Sequence, residues 1–199
     1  MSNLVYGIGI NERKYPAWDG KKMLRVYRVW TSMLSRCTCE YWLKYPSYSG
    51  TTCSEKFKSY TFFYEWCGEQ IGFNSKDENN RSWQLDKDIL VRGNKVYSED
   101  TCCFVPQYIN SILTKADAKR GDCPVGVYWN KRDCKFMASC KTGTKTQKYL
   151  GYFGTKEDAF HAYKTFKEGL IKHTAIGYKD KIDKRVYQSL MAREVNEDD

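Results

Sequence analysis

Apolar and polar residues alternate most cleanly over Lys135–Lys141, where Phe136, Ala138 and Cys140 fall on one side. Lys135, Met137, Ser139 and Lys141 fall on the other, which is the period of a strand. A β-branched and aromatic run, residues 125–129, precedes it, and the polar tetrad Asn130-Lys131-Arg132-Asp133 between them predicts a hairpin turn. Thr142-Gly143-Thr144 turns the chain again into Gln147–Phe153. There Lys148, Leu150 and Tyr152 are expected on one side and Gln147, Tyr149 and Gly151 on the other. The pattern then switches. Ala159, Ala162, Tyr163, Phe166 and Leu170 recur at helical spacing, with Thr155 as the cap and Asp158 completing a carboxylate variant of the capping box. The prediction is a three-stranded antiparallel sheet with one face covered by a helix. The other face is left free, carrying or rimmed by Tyr128, Asn130, Arg132, Ser139, Lys141, Gln147 and Tyr149.

Earlier in the chain the helical period dominates. Val26, Val29, Trp30, Met33, Leu34 and Cys37 predict a helix over residues 24–36. Tyr60, Phe63, Tyr64 and Cys67 predict a second over residues 60–68, widened by Phe62 and Trp66 into a mostly buried element. Residues 45–50 and 74–82 read as loops. Residues 83–90 suit a strand, Arg92-Gly93-Asn94 a turn and residues 95–98 a returning strand. Ser98 then reads as a helix start or a tight turn, and Phe104-Val105-Pro106 leads to a short helix. Ile182, Val186 and Leu190 mark a last amphipathic helix. The fold class is therefore α+β: a small N-terminal domain of helices and a β-hairpin, then the sheet-and-helix module. The boundaries read as residues 1–113, a basic linker 114–123, the module 124–176, and a helix with an acidic tail over 177–199.

Charge sharpens this division. Residues 1–113 carry 15 Lys and Arg against 12 Asp and Glu, whereas residues 114–185 carry 17 against 8. The module and its flanks thus hold as much excess charge as the whole chain, whose net charge is +9. Phosphate neutralisation by such a surface releases counterions and drives binding to nucleic acid. Lys115, Lys119 and Arg120 in the linker are candidates to track a DNA backbone. The tail EVNEDD reads as solvated. No apolar run reaches membrane length, and residues 1–14 lack the pattern of a signal peptide, so a cytosolic setting is expected, the producing cell's own or an infected host's. Nine cysteines without a C-x-x-C pair read as small buried hydrophobes, with a Cys37/Cys39/Cys102/Cys103 metal cluster as the alternative.

Acids on a strand beside a tight hairpin are what a divalent cation needs, since Mg²⁺ takes one or two carboxylates and keeps its waters. Asp86 and Asp88 fall on the same side of the expected strand, next to Asn94, Lys95 and Glu99. The plain alternative is an exposed hairpin with solvated charges.

Two resemblances add to these readings. GVYWNKRDCKFMASCK, KYLGYF and TKEDAFHAY together resemble the DNA-binding domain of the plant ethylene-response-factor (APETALA-type) family, over about a quarter of the chain. That resemblance places base contacts on Tyr128, Asn130, Arg132, Ser139, Lys141, Gln147 and Tyr149. Val125, Tyr128 and Asn130 stand where arginines are usual, and Ser139 replaces an acid, so a different target sequence is implied. The order of motifs from Tyr15 to Leu113, above all LDKDIL, GNKVYS and TC, resembles bacteriophage homing endonucleases of the HNH type and related groups. It implies Mg²⁺- or Mn²⁺-dependent cleavage or nicking of double-stranded DNA, and it allows a homodimer on DNA. Asp86 and Asp88 would be the metal ligands with Glu99 a third, Lys87 or Lys95 would stabilise charge on the phosphate, and Asn94 would orient the site. Arg36 could hold a phosphate or cap its helix. The histidine usual after the aspartate is Lys87 here, and Thr101 stands where a metal-binding Asn is frequent. Carboxylates with a lysine, a metal-bound water alone, or a silent site that leaves a DNA-binding repressor or site competitor are the three outcomes compatible with that change.

Overall fold

The stripe Val26, Trp30, Met33 and Leu34 is fully or almost fully buried along α1 (Arg25–Ser35). The computed structural model describes residues 4–114, 122–143 and 146–198. β1 (Trp18–Asp19) and β2 (Lys22–Met23) pair antiparallel just before this helix. Two short helices were not expected from periodicity. α2 (Cys39–Lys44) and α3 (Glu55–Lys58) begin at Thr38 and Ser54, whose hydroxyls accept the backbone N–H groups of Tyr41 and Phe57. α4 (Tyr60–Glu69) packs against α1 and buries Tyr60, Phe63, Trp66 and Cys67. Trp30 anchors this core, and its indole N–H donates to the Phe57 carbonyl at 2.8 Å, so the ring is buried without an orphaned donor.

The expected hairpin after residue 83 does not form. β4 (Gln84–Asp86) is only three residues long and pairs antiparallel with β6 (Cys103–Val105). β5 (Val96–Tyr97) pairs in parallel with β3 (Thr52–Cys53) instead. Between β4 and β5 the chain runs through bends and a turn, held by side-chain caps rather than by a ladder. Tyr97, Cys102, Phe104 and Val105 join the same buried core.

The chain divides into two compact units, Met1–Val105 and Pro106–Asp199, eight residues earlier than the sequence boundary at 113. α5 (Gln107–Leu113) therefore belongs with the second unit, where the Tyr108 hydroxyl donates to the Thr142 carbonyl at 3.0 Å. In that unit β7 (Val127–Asn130), β8 (Lys135–Lys141) and β9 (Gln147–Phe153) form one antiparallel sheet in sequence order. α6 (Lys156–Gly177) covers one face, and Val127, Ala138 and Ala159 form the centre of the seam. The Thr155 hydroxyl accepts the Asp158 N–H at 3.1 Å and donates to the Asp158 carboxylate at 2.7 Å, as the capping pattern required. Gly126 sits at φ +75°, and a Cβ there would lie about 2.1 Å from the Tyr163 ring, so only glycine permits this approach of strand and helix.

α6 is about two turns longer than the stripe ending at Leu170 implied, and its distal half buries Lys167, Ile171, Thr174 and Ala175. α7 (Lys184–Met191) supplies the cover, with Val186 and Leu190 buried. The tail keeps Glu194, Asn196, Glu197 and Asp198 exposed, as expected of a solvated segment, but it is docked at Val195. Val195 is 4% exposed, its N–H donates to Glu168 at 2.9 Å and its carbonyl accepts from Lys164. Val125 N–H then donates to the Glu197 carbonyl. One apolar residue and a line of backbone hydrogen bonds outweigh the acids around them.

Candidate functional site

The sheet of the second unit has one face turned to α6 and one turned away. Residues paired across an antiparallel ladder share a face, so the register identifies the members of each. Tyr128 and Tyr152 both pair with Met137, Asn130 pairs with Lys135, Tyr149 with Ser139 and Gln147 with Lys141. These nine form the open face. Lys135, Lys141, Gln147, Tyr149 and Tyr152 are exposed, and Tyr128, Asn130 and Met137 are half-buried.

Tyr152 was expected on the covered side. Between Ala138/Gly151 and Ser139/Tyr149 the register slips by one residue, leaving Leu150 unmatched as a bulge. Gly151 accommodates it at φ +137°. The phase of β9 reverses there. Leu150 stays with the core, while Tyr152 joins Tyr149, their ring centroids 5.6 Å apart and edge-on. Periodicity alone could not reveal this, and Gly151 is the only signal for it in the sequence.

The remaining candidates on this face are partly committed to the fold. Asn130 donates to the Tyr152 hydroxyl at 2.8 Å and to Asp133 at 2.9 Å, and its carbonyl accepts the N–H of Arg132. It builds the hairpin turn and positions Tyr152, rather than projecting freely as expected. Arg132 lies on Asp133 at 3.1 Å with its side chain largely exposed. Ser139 is only 6% exposed, because the Gln147 amide covers it and donates to its hydroxyl at 2.6 Å. Ser139 is therefore a support for Gln147 and not a surface reader. Lys115, Lys119 and Arg120 lie outside the described residues.

In the first unit the acidic residues gather more loosely than the sequence suggested. Asp86 ends β4, and its Oδ1 accepts the N–H groups of Asp88 and Ile89, each at 2.8 Å. Asp88 has left the strand, so the two acids approach around a turn and not along one strand face. Burial, and next the Asp88 carboxylate, push the Asp86 carboxyl up from 3.8 to about 6, against the two N–H donors. Lys87 is nearly buried; its ammonium donates to Asp88 at 3.2 Å and to the Asn94 carbonyl at 2.9 Å. Asn94 returns the contact, donating to the carbonyls of Lys87 and Val96 at 2.7 Å each.

Glu99 and Lys95 do not join them. Glu99 pairs with Lys56 at 2.8 Å and accepts from Ser54 at 3.0 Å. Lys95 donates to the Ser49 carbonyl. Thr101 is tied to Ser98 and to the Val96 carbonyl in the turn before β6. Among the described residues no three His, Cys, Asp or Glu side chains gather to hold a metal ion. Glu99 is thus not gathered with Asp86 and Asp88, and of the four cysteines Cys37, Cys39, Cys102 and Cys103, Cys39 is exposed while Cys102 and Cys103 are buried. What does come together is a carboxylate pair, Asp86 and Asp88, with one lysine and one asparagine. Two carboxylates suit Mg²⁺ or Mn²⁺, because water and substrate phosphate complete the coordination of such ions. His161 and His173 are exposed on α6, away from this unit's acids in the chain. No helix among the described residues is long and apolar enough to cross a membrane. No family model, curated protein or solved structure matches this chain.

Proposed function

We propose that this chain is a site-specific, metal-dependent endonuclease of homing type acting on double-stranded DNA. The second unit grips the duplex and the first hydrolyses it. The observation that carries the reading is the open sheet face, where exposed Lys135, Lys141 and Gln147 stand beside Tyr149 and Tyr152. Lysines suit phosphates, an amide suits base edges, and an antiparallel sheet fits the major groove. The excess of basic residues over 114–185 supports the same partner.

Hydrolysis falls to the Asp86–Asp88 pair. Both carboxylates would hold the divalent ion, which supplies an activated water and screens the phosphate. Lys87 would lie against the charge that builds on the phosphate oxygens. Asn94 holds Lys87 and the turn in place through the Lys87 carbonyl. The motif order across β4–β6, with its likeness to phage homing endonucleases, supports this assignment.

A second reading has its own observation. Asp86 already caps a turn, and Asp88 already has Lys87. Such engagement fits a silent site and a protein that binds DNA as a repressor or site competitor. Supercoiled plasmid with Mg²⁺ or Mn²⁺ decides between them. Asp86→Asn is the control of choice, since its side-chain oxygen can still accept from Asp88 and Ile89. We expect nicked or linear product from the native chain and at least about a hundredfold less from the variant. Salt-dependent binding with no product under either metal selects the silent reading instead.

A further inference from the structure

We infer that Arg36, with Lys87, forms a receptor for one backbone phosphodiester of the DNA, an inference that rests on the nucleic-acid reading above. Arg36 is the C-terminal cap of α1, and its carbonyl is occupied by the Trp42 indole N–H at 2.9 Å. The guanidinium is half-buried. Its Nη1 donates to the Tyr97 hydroxyl at 3.2 Å, and the Tyr48 ring centroid lies 5.8 Å from its centre. Its Nε is shielded from solvent and has no acceptor. Among the described residues no carboxylate pairs with it, and each remaining neighbour is a phenol. A guanidinium taken out of water normally finds a carboxylate, because an unmatched buried charge costs several kcal/mol. Helix capping does not account for the position, since the cap contacts involve its backbone and not its side chain.

A second cation closes on the same phenol. The Lys87 ammonium lies 5.9 Å from the Tyr97 ring centroid. Asp88 is its one carboxylate partner, and that carboxylate is also a proposed metal ligand. Asp88, with Asp86 beside it, answers Lys87, and the charge left unmatched at the wall formed by Tyr97 and Tyr48 is that of Arg36. A phosphodiester carries one negative charge on two oxygens, which fits the donors that Arg36 has left and offsets the excess. The ligand class is a phosphodiester, the anion that the nucleic-acid reading brings to this unit. Arg36 is a binding residue in this account, and Tyr97 positions it.

The test uses the full chain without divalent metal. The ¹H–¹⁵N resonance of the Arg36 Nε–H group is followed on adding inorganic phosphate and then the dinucleotide TpT. We expect both to move it, with TpT competing against phosphate. Arg36→Lys keeps a charge and an aliphatic stem, so it should fold and bind duplex DNA on the order of tenfold more weakly. A resonance indifferent to both ligands, or a folded Arg36→Lys variant with native DNA affinity, overturns the receptor. Neither measurement requires cutting, so a protein that never cleaves DNA still passes or fails it.

Discussion

At the scale of single residues, Asp86 shows how a carboxylate proposed as a metal ligand can also hold a turn. Its Oδ1 holds the two N–H groups that bend the chain after β4, and its carboxyl is raised to about 6 by burial and by Asp88. The sign of the pH effect follows. A carboxyl raised in the fold favours the protonated form, so the native state gains from protonation and loses stability as pH climbs from about 4 to about 6. Carboxyls held low in the fold, such as Asp77 and Glu99, change stability in the reverse direction, so the contribution of Asp86 is read as the difference: across that window the urea midpoint of Asp86→Asn should gain on that of the native chain. A cation bound between the carboxylates acts the opposite way. Mg²⁺ should recover the lost stability at pH 7 in the native chain only, and equal recovery in both proteins would show that the ion binds elsewhere.

Among the elements, alternation and helical spacing made β8, α1 and α4 legible with little error, and located β9 and α6 while missing the bulge in the first and the last turns of the second. Each of these segments buries a face long enough to impose its period on the residues. The β4–β5 region was misread for a physical reason. A turn signal at Arg92-Gly93-Asn94 suggested a local partner, but β5 takes β3, more than forty residues earlier in the chain. Such a pairing leaves no mark in any short window. The sequence did bring Asp86, Lys87, Asp88 and Asn94 into one candidate site, because they are close along the chain, whereas Glu99 and Lys95 were drawn away by Lys56 and the Ser49 carbonyl. The docking of the tail was missed because its acids outnumber its one valine. Val195 is pinned by Glu168 and Lys164 beside α6. Val195→Asp, which would bury a carboxylate near Glu168, should cost about 2–4 kcal/mol in chemical denaturation. An unchanged midpoint would mean the tail is not docked in solution.

For the molecule as a whole, the asymmetry of charge matters more than its total. Residues 186–199 carry 1 basic residue against 4 acids, and the docking of Val195 keeps that segment beside the basic unit. Binding should still be dominated by phosphate contacts. Raising salt from about 50 to about 200 mM should weaken duplex affinity at least tenfold if two or more phosphates are neutralised. A salt-independent affinity, read by fluorescence anisotropy, would exclude the open sheet face as the site of contact.

The extra residue in β9 gives this surface an unusual route to change. Pairing β9 evenly with Leu150 kept would turn Gly151 and Phe153 outward and the phenol at 152 toward the helix, exchanging the outer display without altering a single side chain. A slip of one residue in pairing, and not substitution, would then be the step by which such a sheet presents a different face.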